Sequence, residues 1–420
     1  MHGVIGVGRG RGRSRMRLAV VAGAVAAGLA VAASPAGAAT LPVLEPTADL
    51  APVPLSVSRG GGVAIKGDTA VVADAEAGTV QVAGSVRVLT RSGATWTQVA
   101  VLTAGQVGDS FGHQVALARA DDGHSFVLAV SDPGVSGAST VRVYVGSGSH
   151  WTQRAVLSGS DTTPGDGFGE SLAASADAVL VGAPRATGGG AVYVFGGNAW
   201  TQQLRLTGGD TAPGDNFGQS MSLADGTLVV GAPGHSPVDA LTGLGAVYTF
   251  TGNGRHWAQR SELVGQVSHR LTDLGEGLGV AVSVSADGVL AVETLEHASG
   301  TLSFNTGAVY VYTGGPAHWT RRTVIDALTL GLAYRDLYDA IAVTGSTVLV
   351  SENGRYTGAA WVFTRSGSTW GPSAQLDVNP ALTGPHTGVG QIAVSGSTAL
   401  VAAYDHDTTH AFTYSVPAHP

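Results

Sequence analysis

Six tryptophans recur in one phrase along the chain, and that repeat constrains the fold more than any other feature. Trp96, Trp151, Trp200, Trp257, Trp319 and Trp370 sit in ATWTQVAVL, SHWTQRAVL, NAWTQQLRL, RHWAQRSEL, AHWTRRTVI and STWGPSAQL, at steps of 55, 49, 57, 62 and 51 residues. Self-similarity at such a period marks a repeat architecture, in which each unit is one supersecondary element stacked on its neighbours.

Three further phrases recur in fixed order between the tryptophans. DSFGHQVAL, DGFGESLAA and DNFGQSMSL begin at Asp109, Asp166 and Asp215. VLAVSDP, VLVGAP and LVVGAP begin at Val127, Val179 and Leu228. TVRVYV, AVYVFG, AVYTFT, AVYVYT and AAWVFT begin at Thr140, Ala191, Ala246, Ala308 and Ala359. Each phrase is short, rich in β-branched or aromatic residues and bounded by Gly, Asp, Ser or Pro, which is the signature of a strand. Four strands joined by tight turns make an antiparallel meander, and 63 glycines with only 12% charged residues suit many such turns. The second and third strands are apolar on both faces, so each sheet must be covered on both sides. Radial stacking does this and protects the edges. The expected fold is therefore an all-β, seven-bladed propeller of four-stranded antiparallel blades. Its units start near Gly60, Asp109, Asp166, Asp215, Gly275, Arg335 and His386. The last unit has three strands, so an N-terminal strand, Thr40 to Glu45, is expected to complete the last blade.

Phe-Gly followed by Gly-Ala-Pro inside a four-stranded unit resembles the FG-GAP repeat family, which includes the head propeller of integrin α chains and many exported bacterial proteins. The pairs are Phe168-Gly169 with Gly182-Ala183-Pro184, and Phe217-Gly218 with Gly231-Ala232-Pro233. Phe111-Gly112 pairs with a drifted Ser131-Asp132-Pro133. The resemblance implies a propeller module and, in many members, calcium held by an Asp-rich loop between the two motifs. Here those connections are only SADAV, LADGT, SADGV and ARADDGHSF, at Ser175, Leu223, Ser285 and Ala118. One or two carboxylates do not supply the six to eight oxygens of a Ca²⁺ shell. No cofactor is expected, and the Asp-Gly pairs read as hairpin turns.

Five arginines (Arg9 to Arg17), the uncharged run Leu18 to Val31 and Ala36-Gly37-Ala38 read as a signal peptide over residues 1–38. Residues 39–58 then form the closing strand and lead-in, and 59–420 the blades. The reading implies a secreted, extracellular product with no membrane anchor after cleavage. The formal charge is −8, which gives no basic footprint for nucleic acid, and the chain has no cysteine. A monomer is expected.

In such a meander the interblade loops and the loops between second and third strands share one end. The loop face then carries Asp161, Asp166, Asp210, Asp215 and Asp273 as candidate ligand-binding residues, and its long loops are Gly234–Leu244 and Glu293–Thr306. The repetition of D-x-x-x-x-D-x-F-G also fits Asx turns. Asp405, Asp407 and His410 offer residue types that suit zinc, although strand alternation puts Asp405 and His406 on opposite faces. Gly108-Asp109-Ser110-Phe111-Gly112 matches a nucleophile elbow in letters only, because no helix follows and Gly167 and Asn216 replace the serine in sister units. No catalytic residues are assigned. The reading is a non-enzymatic binding or adhesion module for a protein, cell-wall or carbohydrate ligand. The alternatives are a propeller polysaccharide lyase or glycoside hydrolase, and a lectin.

Overall fold

A computed structural model describes residues 41–50, 53–54, 61–75, 84–103, 110–133, 139–237, 243–266, 275–298, 305–326, 330, 340–352, 359–378, 388–404 and 408–417. The signal-peptide reading of 1–38 lies outside the described residues. Among the described residues no helix is long and apolar enough to cross a membrane.

The described strands form seven sheets in chain order. Blade 1 spans 63–103, blade 2 115–157, blade 3 171–206, blade 4 220–264, blade 5 278–325, blade 6 341–376 and blade 7 388–415. Within each blade, successive strands pair antiparallel. The first strands of successive blades lie against one another around the ring, from blade 7 back to blade 1. They line an axial space that holds cavities of about 600 and 430 Å³.

The hydrophobic core is divided among the seven gaps between blades. Val71, Val86, Leu128 and Val130 fill the gap between blades 1 and 2, and Val127, Ala129, Val179 and Val181 the next. The series continues to Leu50, Val63, Leu400 and Ala411, which join blade 7 to blade 1. This is the arrangement that strands apolar on both faces require. The repeat tryptophans obey the same rule: each packs into the gap towards the preceding blade, Trp96 against blade 7, Trp151 against blade 1 and Trp257 against blade 3. Trp200, Trp319 and Trp370 do likewise in their gaps.

The Phe-Gly and Gly-Ala-Pro motifs have a common physical basis. Phe111, Phe168 and Phe217 are buried in the gap ahead of their own blade. The following glycine takes a positive φ, +91° at Gly169 and +92° at Gly218, where a side chain would be strained. Its N–H donates to the Gly-Ala-Pro glycine of the same blade, from Gly169 to Gly182 at 2.9 Å and from Gly218 to Gly231 at 3.0 Å. Gly182 in turn abuts the next blade: an added Cβ would lie 2.2 Å from the Gly218 carbonyl. The two motifs are thus one joint between neighbouring sheets.

An N-terminal strand completes the last blade, but a segment later than Thr40 to Glu45. Ala48–Asp49 and Val53–Pro54 pair antiparallel with Thr408–Ser415. Val43–Leu44 instead pairs parallel with the outer strand of blade 6. The chain crosses from one blade edge to the next, so both outer edges are covered.

Candidate functional site

Two features of each blade set up its loop end. The third strand carries a variable residue opposite a valine of the second strand: Arg87, Arg142, Tyr193, Tyr248, Tyr310, Trp361 and Phe412 in blades 1 to 7. In blades 1 to 6 a bulge between third and fourth strands, such as that between Thr249 and Phe250, skips one outer residue. The residue five places after the repeat tryptophan then lies opposite the variable residue, as Glu262 lies opposite Tyr248 and Arg205 opposite Tyr193.

In blade 4 these positions meet a buried histidine. Asp210 and Asp215 come from the connection between blades 3 and 4. His235 follows Gly231-Ala232-Pro233 in the loop between second and third strands. Its N–H donates to the Ala232 carbonyl at 3.0 Å, and its carbonyl accepts from Gly245 N–H at 2.9 Å. His235 is 3% exposed. Its Nδ1 lies 2.8 Å from Asp215 Oδ2, which also accepts the Ala212 N–H at 2.8 Å. The imidazole ring meets the Tyr248 ring edge-on, and the Tyr248 hydroxyl donates to Asp210 Oδ1 at 2.8 Å.

His235 Nε2 is buried and has no hydrogen-bond partner among the described residues. It faces two carboxylates, with Asp210 Oδ2 at 3.8 Å and Glu262 Oε1 at 3.7 Å. One ligand-type atom from each of Asp210, His235 and Glu262 lies within 4.8 Å of the others. The electrostatics reflect this crowding. Burial first, and then the Asp210 carboxylate, push the Glu262 carboxyl above its ordinary range, against the pull of His235. Burial and the hydrogen bond to Asp210 push the Tyr248 hydroxyl far up.

Blade 3 holds the same frame with different occupants. Tyr193 donates to Asp161 Oδ1 at 2.7 Å, as Tyr248 does to Asp210. The partner residue, however, is Arg205, whose Nε lies 3.2 Å from Asp161 Oδ2 and whose Nη2 donates to the Thr187 carbonyl at 2.6 Å. Ala186 stands where blade 4 has His235. Burial and the bond to Asp161 raise the Tyr193 hydroxyl to about 12.

Four of the five loop-face aspartates are described, and they take different roles. Asp210 and Asp215 converge on His235. Asp161 joins the Arg205 ion pair. Asp166 accepts the Thr163 N–H at 2.7 Å, an Asx-type turn matched by Asp215 and Ala212. Asp273 lies outside the described residues, as do Asp405 and Asp407. His410, expected beside those two, has its Nδ1 2.9 Å from Asp49 Oδ2 and stacks on Phe412 in the closing blade. His235, Tyr248 and Glu262 escape a reading based on repeated phrases, although aligning the tryptophan phrases exposes Arg205 against Glu262.

On the opposite face, the hairpins between first and second strands each present few carboxylates. Asp225 and Gly226 both have positive φ, +45° and +69°, as a type I′ turn requires. Asp122 is exposed and caps its own hairpin, accepting Ser125 N–H at 2.7 Å and His124 N–H at 2.8 Å, and its carboxyl is pulled down to about 2 by bonds to Ser125 and His124.

The FG-GAP repeat model matches residues 151–195 and 200–250, so the chain carries FG-GAP repeats across these two stretches. Among solved structures the chain is similar to the β-propeller domain of the trilobed protease from Pyrococcus furiosus, at 9% identity and a TM-score of 0.50. That similarity covers 86% of this chain and 94% of that one. At that identity the likeness concerns the fold alone. No curated protein matches the chain.

Proposed function

We propose that this FG-GAP repeat propeller is a secreted, monomeric, non-enzymatic binding module whose loop face recognises an extracellular protein or glycan. The observation that carries the reading is the division of labour within the repeat. Core positions in the gaps, including the rings of Tyr193, Tyr248, Tyr310, Trp361 and Phe412, stay apolar or aromatic from blade to blade, whereas the outer-strand position beside them, exposed or half-buried, runs through Val101, Val156, Arg205, Glu262, Val324 and Gln375. A rigid scaffold that varies chiefly at one face is the ordinary design of a recognition surface. Glycan-array and surface-capture binding test this. Substituting loop-face residues such as Asp161 and Asp210 abolishes binding under this reading, whereas substituting Asp177 and Asp287 on the opposite face leaves it intact. Binding that follows the opposite face overturns it.

One observation favours a second reading, a propeller glycoside hydrolase. Asp210 and Glu262 are close carboxylates in different environments, and Glu262 is held protonated more readily than a free carboxyl. Retaining glycosidases place their pair about 5–5.5 Å apart. Turnover of a polysaccharide panel that vanishes in Glu262→Gln identifies that activity. The three described cavities, however, do not include Asp210 or Glu262 in their walls.

A further inference from the structure

We propose that Asp210, His235 and Glu262 form a binding site for a divalent transition-metal cation of the Zn²⁺ class, at the loop face between blades 3 and 4. The inference stands whether the loop face binds a protein or a glycan, because it rests on the three side chains alone.

The first argument is the tautomer. Asp215 Oδ2 accepts a backbone N–H and lies 2.8 Å from His235 Nδ1, so the ring proton belongs on Nδ1. Nε2 then presents a lone pair towards Asp210 Oδ2 and Glu262 Oε1. A histidine whose other nitrogen donates to a carboxylate is the usual support of a metal ligand. Tyr248 plays the matching part for Asp210 by donating to its Oδ1 and leaving Oδ2 free to turn towards the histidine.

The second argument is donor balance. Three acceptor atoms converge with no donor among them. Protonating His235 does not repair this, since 3.7 and 3.8 Å exceed hydrogen-bond length and the buried N–H would go unsatisfied. A dication balances two carboxylates and a neutral imidazole in charge and in geometry. Ligands about 2.0–2.1 Å from a tetrahedral ion are roughly 3.4 Å apart, so the two spacings from His235 need to contract by only a few tenths of an ångström, and the two carboxylate oxygens, which lie within 4.8 Å of each other, close the rest by rotation of their partly exposed side chains. A buried nitrogen ligand favours Zn²⁺ and its neighbours over Ca²⁺ or Mg²⁺, which prefer oxygen. Asp210 is 54% exposed at its side chain, which gives the ion a path from solvent and an open position for water or a ligand group.

The third argument comes from blade 3. There the carboxylate bonded to tyrosine is balanced by the Arg205 guanidinium. Blade 4 replaces that arginine by Glu262 and Ala186 by His235. Both substitutions remove a bland or cationic group and add a metal ligand at the same spot.

The test is zinc binding by the full chain after dialysis against EDTA, followed by calorimetry and by the absorption of the Co²⁺ form. Wild type should bind one Zn²⁺ per chain and gain thermal stability on binding. Glu262→Gln and Asp210→Asn, at partly exposed positions, should weaken binding about tenfold or more. Asp215→Asn should weaken it by about 10–100-fold through the histidine. His235→Gln should abolish the Co²⁺ bands. If His235→Gln fails to fold, the Asp210 and Glu262 variants decide. Zinc binding that is absent, or unchanged in both of those variants, overturns the site. Because Asp210 also serves the proposed ligand face, Glu262→Gln separates the two: loss of its zinc binding supports this site whether glycan or protein binding persists or not.

Discussion

Blades 3 and 4 carry the same Phe-Gly and Gly-Ala-Pro joint, the same hydrogen bond from tyrosine to aspartate and the same outer-strand bulge. They part at two positions brought together by the fold. In blade 3, Ala186 and Arg205 give a neutralised cluster whose charge is satisfied within the chain. In blade 4, His235 and Glu262 give a cluster of acceptors. The difference teaches that the repeat's frame and its loop end are nearly independent: the frame tolerates exchange of arginine for glutamate because neither side chain takes part in the apolar gap.

The largest effects should be those common to both blades. Phe168→Ala and Phe217→Ala each empty a buried site lined by aromatic neighbours, and each should cost about 3–5 kcal/mol in denaturant unfolding. Losses that differ severalfold would break the equivalence of the frames. A smaller effect should follow from giving blade 3 the chemistry of blade 4. Ala186→His combined with Arg205→Glu should cost about 0.5–1.5 kcal/mol in EDTA-treated protein, after allowance for a partly exposed pair. It should also raise zinc stoichiometry from one to two, which calorimetry reads directly. The reverse exchange, Glu262→Arg, should add up to about 1 kcal/mol by pairing Asp210 and should remove the thermal shift on zinc addition.

The smallest effect is a pH dependence. The folded pKa of Glu262 is raised, so its contribution favours the fold below the unfolded carboxyl range, near about 4.3. That contribution is lost as pH rises through the folded value. Wild type and Glu262→Gln should therefore coincide in stability at low pH. Above that window the variant should be more stable, by less than about 1 kcal/mol given its exposure. A wild type that gains stability relative to the variant on raising pH would reverse the assigned sign.

The blades were legible in the sequence because their determinants repeat. Phe168, Gly182 and Trp151 announce themselves by recurring in phase, and burial in shared gaps is the physical cause of that recurrence. The loop face was legible too, since meander topology alone puts Asp210 and Asp215 at one end. What composes the cluster was not legible, because His235 and Glu262 are departures from the repeat, and a search for likeness passes over them. His235 lies at the edge of a loop already marked as long, but nothing local ties it to Glu262, 27 positions later. Only the bulged register of the outer strand brings the two together. The closing strand shows the same limit: the need for a fourth strand in blade 7 followed from counting, whereas the choice of Ala48–Asp49 over Val43–Leu44 depends on where the chain crosses between two edges.

That crossing also sets an order of assembly. Thr47 N–H and Oγ1 both donate to the Thr413 carbonyl, a contact between residues 366 positions apart. The bond from Val63 N–H to Gln391 spans 328. Most joints between blades link sequence neighbours and can form as the chain emerges, but these must await its end. Long-range pairing of this kind slows folding more than it weakens the product. The ring therefore has a single seam. Its first lip, Ala48–Asp49 with Val53–Pro54, is made early and meets its partner only when the last strand, Thr408–Ser415, arrives to shut it.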